Sequence, residues 1–223
     1  MEQGLPEGIA LRDLGAHRLK DLARPERIFQ LKIAGLGSDF APIRTLDAHP
    51  NNLPVQLTSF VGRDAEIAAV RQLIDQARLV TLTGPGGTGK TRLALQVAAE
   101  RLGDHPDGVF FVELAPITDP GLVPSAVAAA LRIREAVDRP LLETLKEDLR
   151  DKSMLLVLDN FEQVIEAAPR VSELLTASAK LHVLVTSRAV LHLQGEREFA
   201  VPPSAFRIPP SCRRSRRSRA TRR

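Results

Sequence analysis

Tryptophan and tyrosine are absent from this 223-residue chain, and phenylalanine occurs only eight times. So few rings argue against a surface that stacks single-stranded bases. The single cysteine, Cys212, has no partner for a disulfide within the chain and excludes a Cys-based zinc site. The opening stretch MEQGLPEGIALRDLG carries acids and glycines where a secretory signal needs an apolar core. No apolar run reaches the ~18 residues of a membrane helix. Together these absences lead us to expect a cytoplasmic protein with no membrane partner.

Net positive charge is absent outside one segment. The formal net charge is +4, but eight of the 31 basic residues are arginines from Arg207 onward, where no acid occurs. The remaining 23 basic residues face 27 acids, a net of −4. A nucleic-acid surface spread over the body is therefore not supported.

The pattern along the chain falls into four stretches. Residues 1–33 hold a short apolar alternation, Arg27–Ile33, which reads as a strand. This stretch is too small to bury a core alone. Residues 34–58 are rich in Gly, Pro, Asn and Asp and read as a linker. Residues 59–201 alternate helical and strand patterns. Helices are expected over Asp64–Gln76, Lys90–Arg101, Leu122–Leu131, Leu141–Arg150 and Gln163–Ala179, with Pro169 as a kink. Strands are expected over Arg78–Thr83, Val109–Leu114, Met154–Asp159 and His182–Thr186, with a short last one over Glu198–Val201. Strands apolar along their whole length, alternating with helices, predict an α/β three-layer sandwich around a mostly parallel sheet. Residues 202–223 fit no element.

Gly84-Pro85-Gly86-Gly87-Thr88-Gly89-Lys90-Thr91 matches G-x-x-x-x-G-K-[ST] in full, between a predicted strand and a predicted helix. Glycines let the backbone present amide N–H groups to phosphate oxygens, and the helix N-terminus adds partial positive charge. Lys90 is expected to reach the β- and γ-phosphates and Thr91 to ligate Mg²⁺, with Arg92 closing the nucleotide-binding run. Asp159 ends the strand MLLVLD, so its carboxylate emerges at the edge where nucleotides sit in open α/β sheets. It is the second expected Mg²⁺ residue, acting through water. Asn160 follows where fast ATPases place a carboxylate. It can orient water but is a poor base, so slow hydrolysis is expected. Glu162 is a nearby substitute candidate. Arg188, just past the strand ending at Thr186, is placed to contact a γ-phosphate. His182 and His192 read as ordinary loop or surface residues.

These motifs together resemble the signal-transduction ATPases with numerous domains, the NB-ARC-like class. FVGRDAEI resembles that family's h-h-G-R-E-x-E motif, with Asp64 in place of Glu. GPGGTGKT, LLVLDN and VTSR resemble its Walker A, Walker B and arginine-sensor segments. The resemblance implies that Val61, Gly62 and Arg63 border the adenine pocket and that the ligand is ATP or ADP with Mg²⁺. It also implies a nucleotide-dependent switch inside a larger bacterial regulator, with ATP favouring homo-oligomers. LRDLGAHRLKDLARPERIFQL is similar to the last strands of class III adenylate/guanylate cyclase domains, so residues 1–33 read as a remnant of one. The metal-binding aspartates of such a domain are not in this chain, and no cyclase activity is inherited. The family continues into a helical lid and a winged helix, whereas here the pattern stops after EREFAVPP. The tail that follows reads as a basic arm for nucleic acid, as a segment without a role, or as out-of-frame translation. The abrupt change of composition favours the last. An AAA+-type motor, or a DNA-binding regulator acting through the tail, is the alternative function.

Overall fold

The computed structural model describes residues 6, 9–17, 26–33, 35–36, 49–54, 62–135 and 138–203. Val61, most of the linker and the arginine-rich tail lie outside the described residues. None of the described helices is long and apolar enough to cross a membrane.

Five strands form one parallel sheet: β3 (Leu79–Thr83), β4 (Val109–Glu113), β5 (Met154–Asp159), β6 (Leu181–Thr186) and β7 (Glu196–Ala200). Their order is β4-β5-β6-β3-β7. The strand that leads into the glycine loop and the strand that ends in Asp159 are thus not neighbours. β6 runs between them. Because all five are parallel, their C-terminal ends share one edge.

Alternate residues of each strand serve opposite cores, as the two-residue pleat dictates. Leu79, Val112, Leu156, Leu158, Val183 and Val185 pack with α3 (Val123–Leu131), α4 (Leu141–Leu149) and α5 (Ala168–Ala177). Val80, Leu82, Leu155, Val157 and Leu184 pack with α1 (Asp64–Gln76) and α2 (Lys90–Glu100). β3 and β5 are buried at every position. The result is the three-layer α/β sandwich that the apolar strands predict.

Two sequence expectations change. The helix read over Gln163–Ala179 is divided: a 3₁₀ stretch covers Phe161–Ala167, with Val164 at φ −127, and α5 begins only at Ala168. Pro169 does not kink a long helix. It stands in the first turn of α5, where its missing N–H has no intrahelical partner to lose. His182 lies in β6, as the strand expected over His182–Thr186 requires, but is half-buried rather than an ordinary loop or surface residue.

Within 1–33, β1 (Ile9–His17) and β2 (Glu26–Ile33) pair antiparallel, with a register shift between Asp13 and Gly15. Asp13 accepts from the Gly15 N–H at 2.9 Å and from Arg27 Nε at 2.9 Å, which fixes the irregularity.

The segment around Asn51 lies along the outer edge of β4. Val109 N–H donates to Pro50 O at 3.0 Å, and the Asn52 carboxamide both donates to Phe111 O and accepts from Phe111 N–H. Asn52 so takes up backbone groups that an edge strand otherwise leaves open. Leu53 is buried beside the α1–α2 core. Gly108 makes this approach possible. It sits at φ +112, and a Cβ there would stand 2.3 Å from Pro50 O and 2.7 Å from Phe110 Cε2. Gly108→Ala is accordingly expected to cost at least ~2 kcal/mol, through strain and detachment of this segment. Urea unfolding monitored by circular dichroism checks it.

Far from the glycine loop, at the opposite edge of the sheet, two imidazoles meet edge-on. His105 follows α2 and His182 is the second residue of β6; their ring centroids are 5.2 Å apart. His105 is 2% exposed, and among the described residues neither of its ring nitrogens has a hydrogen-bond partner. Burial, then the neighbouring His182 and Arg101, hold its pKa down from 6.5 to about 4, against the weaker opposite pull of Asp104 and Asp75. The group is neutral when folded and takes a proton more readily when unfolded. Stability is therefore full above about pH 6.5 and falls as pH drops from there to about 4, by up to ~3 kcal/mol. Below about pH 4 this group adds no further slope. His105→Leu is expected to flatten that stretch of a stability-against-pH curve.

Candidate functional site

β3 delivers the chain to the glycine loop at the sheet's C-terminal edge. The loop needs conformations that side chains resist: Gly84 is at φ +142, Gly87 at +80 and Gly89 at +85. Gly89 is the N-cap of α2, so the helix begins at Lys90 with its first N–H groups facing the loop. Thr88 Oγ1 donates to Pro85 O at 3.0 Å and closes the loop on itself. Pro85, Gly86 and Gly87 are exposed, while Thr88 and Lys90 are buried.

The Lys90 ammonium donates to Gly84 O at 2.8 Å and Pro85 O at 3.1 Å. Its charge thus sits inside the loop's curve. Next to it, the Thr91 hydroxyl bonds Asp159 Oδ1 at 2.7 Å. The expected magnesium pair is therefore joined directly across 68 residues of sequence. From β6, between the two, Thr186 Oγ1 donates to the same Asp159 oxygen at 2.6 Å and accepts the Asn160 N–H at 3.0 Å. Asn160 itself takes the left-handed conformation, φ 60, where the chain turns off β5.

Asp159 is 4% exposed, and among the described residues its side-chain partners are hydroxyls, with no lysine or arginine paired to it. A buried carboxylate without a cation is costly unless one arrives. The donor set, one carboxylate and the Thr91 hydroxyl, is the kind Mg²⁺ uses when phosphate and water complete its shell. Among the described residues no group of three or more His, Cys, Asp or Glu gathers as a metal cage. The residues present therefore fit a nucleotide-borne magnesium.

The other expected residues fall into two sets. Arg63 is brought to the loop: its guanidinium is buried and donates to Thr88 O at 2.9 Å and to Pro202 O at 3.1 Å. Gly62, at φ +83, makes the turn before it. Arg188, two residues past Thr186, makes no hydrogen bond or ion pair to Lys90 or Asp159 among the described residues. Its side chain is 70% exposed and bonds Glu162 Oε1 at 3.2 Å. Arg92 lies on an exposed position of α2.

The sequence alone assigns no role to Thr186, the second hydroxyl at the carboxylate. The available signal was a threonine ending an otherwise apolar strand. Thr83 was also passed over; its hydroxyl bonds Glu198 of β7 at 2.5 Å.

A strand, a glycine loop capping a helix, and an acidic end on a nearby parallel strand define a P-loop nucleotide-binding fold. The chain belongs to the family described as AAA ATPase domain, whose model matches residues 59–195, more than half its length. An uncharacterized protein of Mycobacterium tuberculosis is 40% identical over 148 residues, which is 66% of this chain and 38% of that protein. A second protein of that organism, named "Putative HTH-type transcriptional regulator", is 42% identical over 134 residues, 60% of this chain and 15% of that protein. The chain thus spans well under half the length of these curated relatives. Among solved structures, the ORC2 protein of Aeropyrum pernix is similar at 14% identity and a TM-score of 0.46, over 63% of this chain and 48% of that one. A signal-transduction ATPase with numerous domains from Pyrococcus horikoshii is similar at 18% identity and a TM-score of 0.34, over 72% and 25%.

Proposed function

We propose that this chain is the nucleotide-binding module of a larger bacterial regulator, and that it works as a slow ATP/ADP switch rather than as a motor. The observation that carries the reading is the convergence of Lys90, Thr91 and Asp159 at one edge of the sheet. Lys90 would hold the β- and γ-phosphates, and Thr91 and Asp159 would hold magnesium directly and through water. The bound metal would neutralise charge on the phosphates. The chain's own groups would position them: amides of the loop and the α2 N-terminus face the anion, and Thr186 orients the carboxylate.

Slow turnover follows from what stands after Asp159. Asn160 carries no base, and its backbone N–H is committed to Thr186. Glu162 bears the nearest following carboxylate in sequence, and Arg188 binds it. Similarity to a protein named as a putative HTH-type transcriptional regulator supports placement beside the domains of a transcriptional regulator. A phosphate-release assay under saturating Mg·ATP tests the switch reading. Turnover far below the ~10 s⁻¹ median of enzymes is expected; sustained turnover at or above that rate would favour a motor.

A further inference from the structure

Three parts of the chain meet at the glycine loop, and only one of them belongs to the loop. Arg63, just before α1, donates from the same Nη2 to Thr88 O and to Pro202 O. The first acceptor is in the loop. The second lies past β7, 139 residues further along the chain. Val201 N–H donates to Thr83 O at 2.8 Å, and Val201 O stands 3.2 Å from where a Cβ of Gly84 would be. The exit from β7 therefore lies against the first residue of the loop and shares an arginine with its fifth.

A planar trans peptide carries its C=O and N–H in opposite directions. Thr88 O and Gly89 N–H belong to one such peptide. By holding the carbonyl, Arg63 aims the Gly89 N–H away from itself. Gly89 is the cap of α2, and loop N–H groups of this kind turn toward phosphate oxygens when an anion enters. Any rotation of that peptide moves the carbonyl on which Arg63 rests, and the same nitrogen also holds Pro202. A guanidinium suits the task because its planar fork fixes direction, whereas a lysine ammonium is a point charge on a flexible stem.

We propose that Arg63 is a positioning residue that sets the Thr88–Gly89 peptide and, through it, ties the phosphate-binding loop to the chain leaving β7. Phosphate occupancy of the loop is thereby read at Phe199–Val201. The inference rests on the nucleotide reading above and adds to it a physical route from the site to the segment that leaves the domain.

The test is hydrogen–deuterium exchange on the full chain, alone and with Mg·ADP or Mg·ATP, with binding measured separately by titration. In the wild type, nucleotide is expected to change exchange at the Phe199, Ala200 and Val201 amides by several-fold. In Arg63→Gln, binding is expected to persist, weakened several-fold, while that change disappears. Arg63→Lys is expected to restore part of the affinity without the exchange response; it carries the test alone should Arg63→Gln fail to fold. Wild-type binding with no change at those amides would overturn the proposal, as would a full change in either variant. Absence of nucleotide binding by the wild type would overturn the nucleotide reading itself, and this inference with it.

Discussion

Lys90→Ala is expected to weaken both ATP and ADP by on the order of 100-fold while leaving the fold in place. The ammonium sits within the loop, 2.8 Å from Gly84 O and 3.1 Å from Pro85 O, and is 7% exposed. Among the described residues it is paired with no acidic side chain. Its neighbours are two neutral carbonyls, which a phosphate oxygen outcompetes because its own negative charge adds a charge–charge attraction that a carbonyl does not offer. A charged hydrogen bond is worth about 1.5–3 kcal/mol, and each 1.4 kcal/mol is tenfold in affinity. The fold survives because alanine is the best helix former and Lys90 is the first residue of α2. Fluorescent-nucleotide titration reads the affinity and thermal unfolding the fold. Equal affinity in the variant would remove phosphate from the account of this loop.

Asp159→Asn is expected to abolish the dependence of nucleotide affinity on Mg²⁺ without lowering the stability of the nucleotide-free protein. The carboxylate is buried and its described partners are the hydroxyls of Thr91 and Thr186. Asparagine keeps an oxygen that can accept from both. What it loses is the negative charge, which costs free energy in a buried place and is recovered only when a cation binds. Two numbers therefore separate the role from a merely structural one. The ratio of Kd with EDTA to Kd with Mg²⁺ should be at least tenfold in the wild type and near one in the variant. The denaturation midpoint without nucleotide should match or exceed that of the wild type. A variant that unfolds easily and still responds to Mg²⁺ would make Asp159 a structural anchor only.

How far the sequence foretold this depends on how local each requirement is. The loop was readable because phosphate binding demands glycines, a lysine and a hydroxyl at fixed neighbouring positions, and nothing distant alters that. β5 was readable because a strand covered on both faces is apolar at every position. Thr186 was not, since its value comes from β6 lying between β5 and β3, and strand order is not written in any one segment. The β1 strand hides behind Arg12, Asp13 and Gly15, where the register shift interrupts alternation. Pro169 misled because one residue type both breaks helices and starts them, and Val164 gives no sequence sign of its non-helical backbone. Asn52 looked like linker composition, yet its amide completes the edge of β4.

Isothermal titration of the full chain with ADP and ATP, in Mg²⁺ and in EDTA, tests the central claim most directly. The account predicts one site per chain, tighter with Mg²⁺, and weakened on the order of 100-fold in Lys90→Ala. Heat that is absent in the wild type, or unchanged in that variant, would contradict it.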